Sequence, residues 1–327
     1  MYGIELTPEH PVAQLSDFAV QAEESGFDAV FASHHYNNRD QFMALGGMAS
    51  RTDEILLGPG IANPYETHPV TLASRVATLA EMSDGRALFG VGPGDKSTIR
   101  NLGFDHDDAL RRVLETFKVA KRLWDGERVD HDGTFTADDA GLNYEVGEIP
   151  VYVGAQGPHM TRMAAKHADG ALYNGAHPAD LAWAREQVEE MAEDRVADTE
   201  FDLAAYASVS VAEDAEKARA AARPPVAFVA AGSPPPVLDR HGIDHEVASD
   251  VGDAISAGEF EEAFGLVTEP MLEAFCIAGT PADVAERTEA LREHADSVVF
   301  ASPLGPDVER AISLLGVAVN GQYSPAE

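Results

Sequence analysis

Short apolar runs alternate along this chain with longer stretches in which apolar positions recur every three or four residues. The runs Tyr2–Leu6, Asp28–Ala32, Ile55–Leu57, Ala87–Val91, Ile149–Val153, Gly170–Tyr173, Leu203–Val211 and Asp296–Ala301 read as strands. Val12, Leu15, Ala19 and Ala22 predict a helix over Pro11–Gly26, with glycine as its stop. Leu72, Val76 and Leu79 make the stripe of another over Pro69–Ser83. Further helices are predicted over Phe42–Ser50, Asp108–Trp124, Met160–His167, Asp180–Arg195, Ala212–Ala222, Thr280–His294 and Gly305–Gly316. Thr280-Pro281-Ala282-Asp283 is a capping sequence with proline in the first turn.

Strands that alternate with helices in this way predict an α/β fold, a (β/α)₈ TIM barrel with residues 1–327 as one domain. The rival is an open doubly wound sheet, but no GxGxxG follows the first strand. Two segments break the alternation. Residues 126–147 are polar, and Val129, Gly133 and Phe135 alternate, so a small hairpin is expected after the fourth helix. Residues 224–265, with Gly232-Ser233-Pro234-Pro235-Pro236, read as an insertion of short helical pieces after the seventh strand. Asn320–Glu327 read as a frayed end.

A hydrophobic content of 45% suffices for a sizeable core. The formal charge of −33 argues against nucleic acid or an anionic membrane surface as a partner, because like charges repel. The acid is spread over predicted helices, as at Glu186, Glu189, Glu190, Glu193 and Asp194, and lysine occurs only at positions 96, 118, 121, 166 and 217. Such a surface suits concentrated salt, where the Debye length shrinks to ~3 Å and self-repulsion is screened. The single cysteine, Cys276, allows no internal disulfide and no thiolate cluster, and its place in the run Ala274–Ala278 marks it as a small buried hydrophobe. Met1–Leu6 has no basic segment followed by an apolar one, and no apolar run reaches membrane-spanning length, so a cytoplasmic protein is expected.

In a barrel the chemistry gathers at the carboxyl ends of the strands. The third strand runs into Gly58-Pro59-Gly60-Ile61-Ala62-Asn63-Pro64-Tyr65, a sequence for irregular backbone rather than a plain turn. The other ends carry Glu5, Ser33-His34-His35-Tyr36-Asn37-Asn38, Gly92-Pro93-Gly94-Asp95-Lys96, Gly154-Ala155-Gln156-Gly157, Asn174-Gly175-Ala176-His177 and Ser302-Pro303. Glycines at successive strand ends let a flat ligand approach the backbone, and Gly154–Gly157 before a helix suits a phosphate. No Walker motif is present. A carboxyl such as Glu5 inside an apolar strand is costly unless paired or functional. His34 and His35 point to opposite sides in strand geometry, so they do not simply share one ligand. Asp95 either caps the following helix or serves the site. Neither an H-E-x-x-H pattern nor a cysteine partner supports a metal.

These motifs resemble those of the coenzyme F420-dependent methylenetetrahydromethanopterin reductases of the bacterial-luciferase-like barrel superfamily. The matching residues are His35–Asn38, Gly58–Ile61 with Asn63–Tyr65, Gly92–Lys96 and Gly154–Pro158, then Ala231–Pro236 with Arg240-His241-Gly242, Leu272–Phe275 and Ser302–Asp307. They span almost the whole chain in order. The resemblance implies that coenzyme F420, an 8-hydroxy-5-deazaflavin, lies across the strand ends, with a cis Gly60–Ile61 peptide behind its ring. Asn63, Asp95, Thr98, Gly154, Ala155, Gln156, Gly157, Gly175, Ala176 and His177 align with cofactor-contacting positions, and His35 with a histidine beside the ring. Relatives carry aspartate-histidine where this chain has His34-His35, so a carboxylate beside the ring is expected to be lost and His34 to take its place.

The implied reaction carries a hydride from the reduced deazaflavin to the one-carbon bridge of a methylene-tetrahydromethanopterin or methylene-tetrahydrofolate. The leaving nitrogen needs a proton, and a carboxylic acid suits that task. Glu5, His35 and Asp95 are the expected catalytic residues, with no metal. The alternatives are an FMN-dependent monooxygenase on the same barrel and a barrel that binds a flavin-like ligand without turnover. A homodimer or homotetramer is expected by resemblance.

Overall fold

The computed structural model describes residues 1–321; of the end expected to fray, residues 322–327 lie outside the described residues. The chain gathers into two compact units, Met1–Asn174 with Ala184–Ala204, and Gly175–Trp183 with Ala205 onward.

In the first unit, strands and helices follow in turn: β1 (Tyr2–Glu5), α1 (Val12–Glu24), β2 (Ala29–Ala32), α2 (Gln41–Ala49), β3 (Leu56–Pro59), α3 (Pro69–Met82) and β4 (Phe89–Val91). Then come α4 (Lys96–Asn101), α5 (Ala109–Trp124), a hairpin of β5 (Val129–Asp132) and β6 (Thr136–Ala140), β7 (Val151–Ala155), α6 (Pro158–His167) and β8 (Gly170–Asn174). β1, β2 and β3 pair in parallel, as do β4, β7 and β8, and single bridges at Leu57–Ala87 and Ala62–Val91 join β3 to the β4 segment. β5 and β6 pair antiparallel, as expected of the polar insertion. Phe31, Leu57 and Phe89 are fully buried in these strands. The strands are near-continuous apolar runs, as strands covered on both faces must be.

α7 (Pro178–Glu189) follows β8, and the acidic residues after it extend only as a 3₁₀ turn at Ala192–Asp194. β9 (Asp202–Val211) enters the second unit at Ala205, and that unit then has α8 (Ala215–Gly232), α9 (Pro235–Arg240), α10 (His245–Ala257), α11 (Phe260–Gly265), α12 (Glu269–Phe275), β10 (Ile277–Gly279), α13 (Pro281–Arg292), β11 (Ser297–Leu304) and α14 (Val308–Val319). β10 pairs in parallel with β9.

One expectation needs correction, and two elements were not foreseen. The helix expected to stop at Ala222 continues through Pro224 and Pro225 to Gly232. Of its buried stripe, Ala222, Val226, Ala227 and Ala230 pack into one apolar cluster with Val251, Met271 and Leu272. That packing outweighs the two backbone donors lost at the prolines. Strand β10 was hidden in an apolar run too short to call strand or helix. Helix α4 has six polar-rich residues and no period to read. The Thr280 capping box is present as expected. Among the described residues no helix is long and apolar enough to cross a membrane, and no group of three or more His, Cys, Asp or Glu is placed to hold a metal.

Candidate active site

Strand register brings the carboxyl ends of the first unit's strands into line. Glu5 pairs with Phe31, Ala32 with Pro59, Ala62 with Val91, Val91 with Val153 and Ala155 with Tyr173. The residues just beyond, Ser33-His34, Gly60-Ile61, Gly92 and Gly154, therefore share one edge.

Glu5 is the last residue of β1 and only 6% exposed. Its Oε1 accepts a hydrogen bond from Thr7 Oγ1 at 2.7 Å, and Thr7 Oγ1 in turn accepts one from Ser33 Oγ at 3.3 Å. A hydroxyl chain thus links the ends of β1 and β2 and orients the carboxyl. Sequence reasoning overlooked Thr7; its place two residues past Glu5, on the same side of an extended segment, was the available signal.

His34 and His35 diverge. His34 is half-buried, and its Nε2 lies 2.9 and 3.0 Å from the two oxygens of Glu66. His35 is exposed. A carboxylate, that of Glu66, therefore stands against His34, and it is a residue sequence reasoning did not select. Glu66 is anchored by Asn63, whose Nδ2 donates to Glu66 Oε1 at 2.7 Å. Asn63 Oδ1 accepts the backbone N–H groups of Tyr65 and Glu66, both at 3.1 Å, so the buried Asn63 folds the loop back on itself. The Asn63-Pro64 pair at this point was the legible sign of such a turn. Tyr65 secures the far side of the loop. Its hydroxyl donates to the Asp107 carbonyl at 2.7 Å, its ring stacks on His106, and the Arg112 guanidinium lies over it at 4.8 Å.

The Gly60–Ile61 peptide is cis. A β-carbon on Gly92 would lie 3.0 Å from Ile61 Cγ1, and one on Gly154 3.0 Å from Ile61 Cγ2. Those two glycines were expected to make room for a ligand; the space beside them is taken by Ile61. What the strand ends present at this point is an apolar side chain, seated closely because its neighbours have none.

Asp95 is exposed and caps α4, its Oδ1 accepting the Thr98 N–H at 2.8 Å; the helix it caps is this short one and not the helix expected over Asp108–Trp124. Thr98 and Ala155 are buried, Gln156 is exposed, and Gly157 caps α6, which opens on Pro158. In the second unit, Gly175 and His177 are half-buried and Ala176 is buried. His177 Nδ1 accepts the Ala179 N–H at 3.1 Å. Behind it, His241 and Arg240 hold Asp180. The sequence shows Arg240-His241 as a motif without indicating what it holds.

The luciferase-like monooxygenase family matches residues 3–297. A 5,10-methylenetetrahydromethanopterin reductase of Archaeoglobus fulgidus is 40% identical over 96% of this chain and 97% of its own length. One of Methanolobus tindarius is 40% identical over 98% of this chain and 99% of its own. The solved structure of the coenzyme F420-dependent tetrahydromethanopterin reductase of Methanopyrus kandleri superposes with a TM-score of 0.92, at 37% identity, over 99% of each chain. The fold class is accordingly the luciferase-like (β/α)₈ barrel that the alternation of strands and helices predicts. The chain belongs to the luciferase-like monooxygenase family and, within it, to the 5,10-methylenetetrahydromethanopterin reductases.

Proposed function

We propose that this chain is a coenzyme F420-dependent reductase that converts a methylene-tetrahydropterin to its methyl form, with methylene-tetrahydromethanopterin or methylene-tetrahydrofolate as substrate. When bound, reduced F420 supplies a hydride from ring carbon 5 to the one-carbon bridge. The residues at the strand ends suit a flat, partly polar ring. Ile61 offers an apolar face seated on Gly92 and Gly154. Asn63, Glu66 and His34 hold the loop beside it, and Gly154–Gly157 lead into the amino end of α6, where backbone N–H groups favour an anion. In the first unit Asp95, Thr98 and the exposed His35 belong to the proposed cofactor-contacting set, and in the second unit Gly175, Ala176 and His177 do so on the strength of the resemblance.

The chain's own chemical contribution is a proton. The bridge opens to an iminium only when the leaving nitrogen is protonated, and we assign that proton to Glu5. The observation that carries this reading is the buried Glu5 carboxyl at the end of β1, oriented by the Thr7 and Ser33 hydroxyls. The remaining catalytic work is positioning. In the cell the enzyme is proposed to be cytoplasmic, a homodimer or homotetramer working in concentrated salt; the charge of −33 supports the salt reading and a lack of nucleic-acid or membrane partners.

The test is anaerobic oxidation of reduced F420 in high salt, with the methanopterin and folate substrates side by side. Glu5→Gln is expected to lower turnover at least ~100-fold, the low end of acid–base contributions. Full activity in Glu5→Gln removes the proposed acid, and flavin-dependent oxygen uptake in place of F420 oxidation would favour the monooxygenase chemistry.

A further inference from the structure

Behind the loop that follows β8 lies a charged cluster for which the proposed reaction has no use. Asp180, in the first turn of α7, is buried, and its side chain is 7% exposed. Its Oδ1 accepts from Arg240 Nη1 at 2.5 Å and its Oδ2 from His241 Nε2 at 2.9 Å. The His241 side chain is 4% exposed. Arg240 lies over the Trp183 ring at 4.9 Å, and His241 meets Phe275 edge-on. This much buried charge is costly and is retained only with full pairing. Burial alone would raise the Asp180 carboxyl, but the hydrogen bonds from His241 and Arg240 more than offset it, so Asp180 is held below its ordinary range as a carboxylate. His241 Nε2 is therefore a donor, and its ring is fixed.

The fixed ring has a neighbour. His177 and His241 meet edge-on with centroids 4.9 Å apart. His177 Nδ1 accepts the Ala179 N–H, and the His177 carbonyl accepts the Asp180 N–H at 3.0 Å. An imidazole whose Nδ1 is an acceptor carries its proton on Nε2 when neutral. Among the described residues no hydrogen-bond partner takes His177 Nε2. Four ionisable groups act on His177: His241 after α9, Asp180 on α7, Glu273 on α12 and Arg287 on α13. Burial, then His241 and Arg287, hold it below the ordinary histidine range, with Asp180 and Glu273 opposing, so it stays neutral near pH 7.

We propose that Asp180 and His241 are positioning residues that fix His177 as the Nε2–H tautomer, making it a neutral, preorganised hydrogen-bond donor to an oxygen acceptor on the cofactor. The proposal rests on the reading that Gly175–His177 contact the deazaflavin. Asp180 pins the first turn of α7, which keeps the Ala179 N–H on Nδ1, and His241 blocks rotation of the ring. A donor set this way loses no freedom when ligand arrives and carries no charge that would have to be balanced near pH 7.

The experiment is nitrogen NMR of the histidine side chains in the full chain without cofactor, together with F420 affinity and turnover. Wild type is expected to show His177 as the Nε2–H tautomer. Asp180→Asn and His241→Phe, the latter keeping a ring against His177, are expected to give mixed tautomers and weaken F420 binding ~10-fold. Turnover at saturating F420 should change little. A wild-type His177 protonated on Nδ1 overturns the proposal, whatever the variants do. If His177→Ala leaves F420 affinity unchanged, the cofactor assignment of Gly175–His177 falls and the donor role with it. If His177→Ala weakens binding while Asp180→Asn and His241→Phe alter neither tautomer nor affinity, that assignment stands and the positioning role falls.

Discussion

The side chain of Ile61 fills the space that a β-carbon on Gly154 would need, leaving 3.0 Å between that position and Ile61 Cγ2. Gly92 on the neighbouring strand is approached equally closely. Alanine at either position must push Ile61 away by a few tenths of an ångström. Gly154→Ala and Gly92→Ala are therefore expected to lower kcat/KM with F420 by about tenfold, since misplacement by ~1 Å costs ~100-fold. Melting temperature should move little. A large loss of stability with unaltered kcat/KM in the folded fraction would show that the glycines serve packing alone.

Glu66 gathers His34 and Asn63 onto one carboxylate. Glu66→Ala leaves a partly buried imidazole and amide without that acceptor, at a cost of about 1–3 kcal/mol. The loss should be local. Amide exchange at Tyr65 and Glu66, whose N–H groups bond Asn63 Oδ1, is expected to speed up while the core of β1 to β3 keeps its protection.

The inserted hairpin is fastened by Glu115 of α5, which accepts from the Thr134 N–H at 2.7 Å, the Thr134 hydroxyl at 2.8 Å and Arg111, with His131 at 3.1 Å. Burial opposes the shift, but the Thr134 bonds, Arg111 and His131 outweigh it and hold the carboxyl at about 2 instead of its ordinary 4.5. A depressed carboxylate stabilises the fold above its unfolded value and loses that contribution as pH falls toward its folded value. Wild type should therefore exceed Glu115→Gln in stability by a constant margin above about pH 5, narrowing steadily to about pH 2, as read by denaturant melts at each pH. A margin that does not vary with pH would rule out the charged form as the source.

Cys276 is buried, and desolvation pushes its thiol up to about 12. Thiolate is the reactive form. A maleimide should leave the native chain unlabelled at pH 7.5 (about the usual labelling pH) and modify one thiol per chain in denaturant. Rapid labelling of the native chain would contradict the packing around β10.

With a formal charge of −33, the folded chain repels itself at low ionic strength. The melting temperature is expected to climb as potassium chloride rises from about 0.1 to 1 M, over which the Debye length falls from ~10 to ~3 Å. A melting temperature that is flat or falls over this range would count against adaptation to salt.

Periodicity, glycine and proline signals and capping residues determined by themselves the alternation of strands and helices, the inserted hairpin and the strand ends that carry polar residues. These are local properties, written in spacing and in backbone freedom. Tertiary structure decided what the polar residues do. Asn63 reads as a ligand contact, yet both ends of its amide serve the loop. Asp180 begins a stretch of acid that is solvated from Glu186 onward, yet it lies buried between Arg240 and His241, some sixty residues away. Gly154 reads as space for a ligand, and Ile61 fills it. The path of α8 through two prolines belongs to the same class. Burial, pairing and close packing depend on which distant residue arrives at a given point, and no local pattern encodes that arrival.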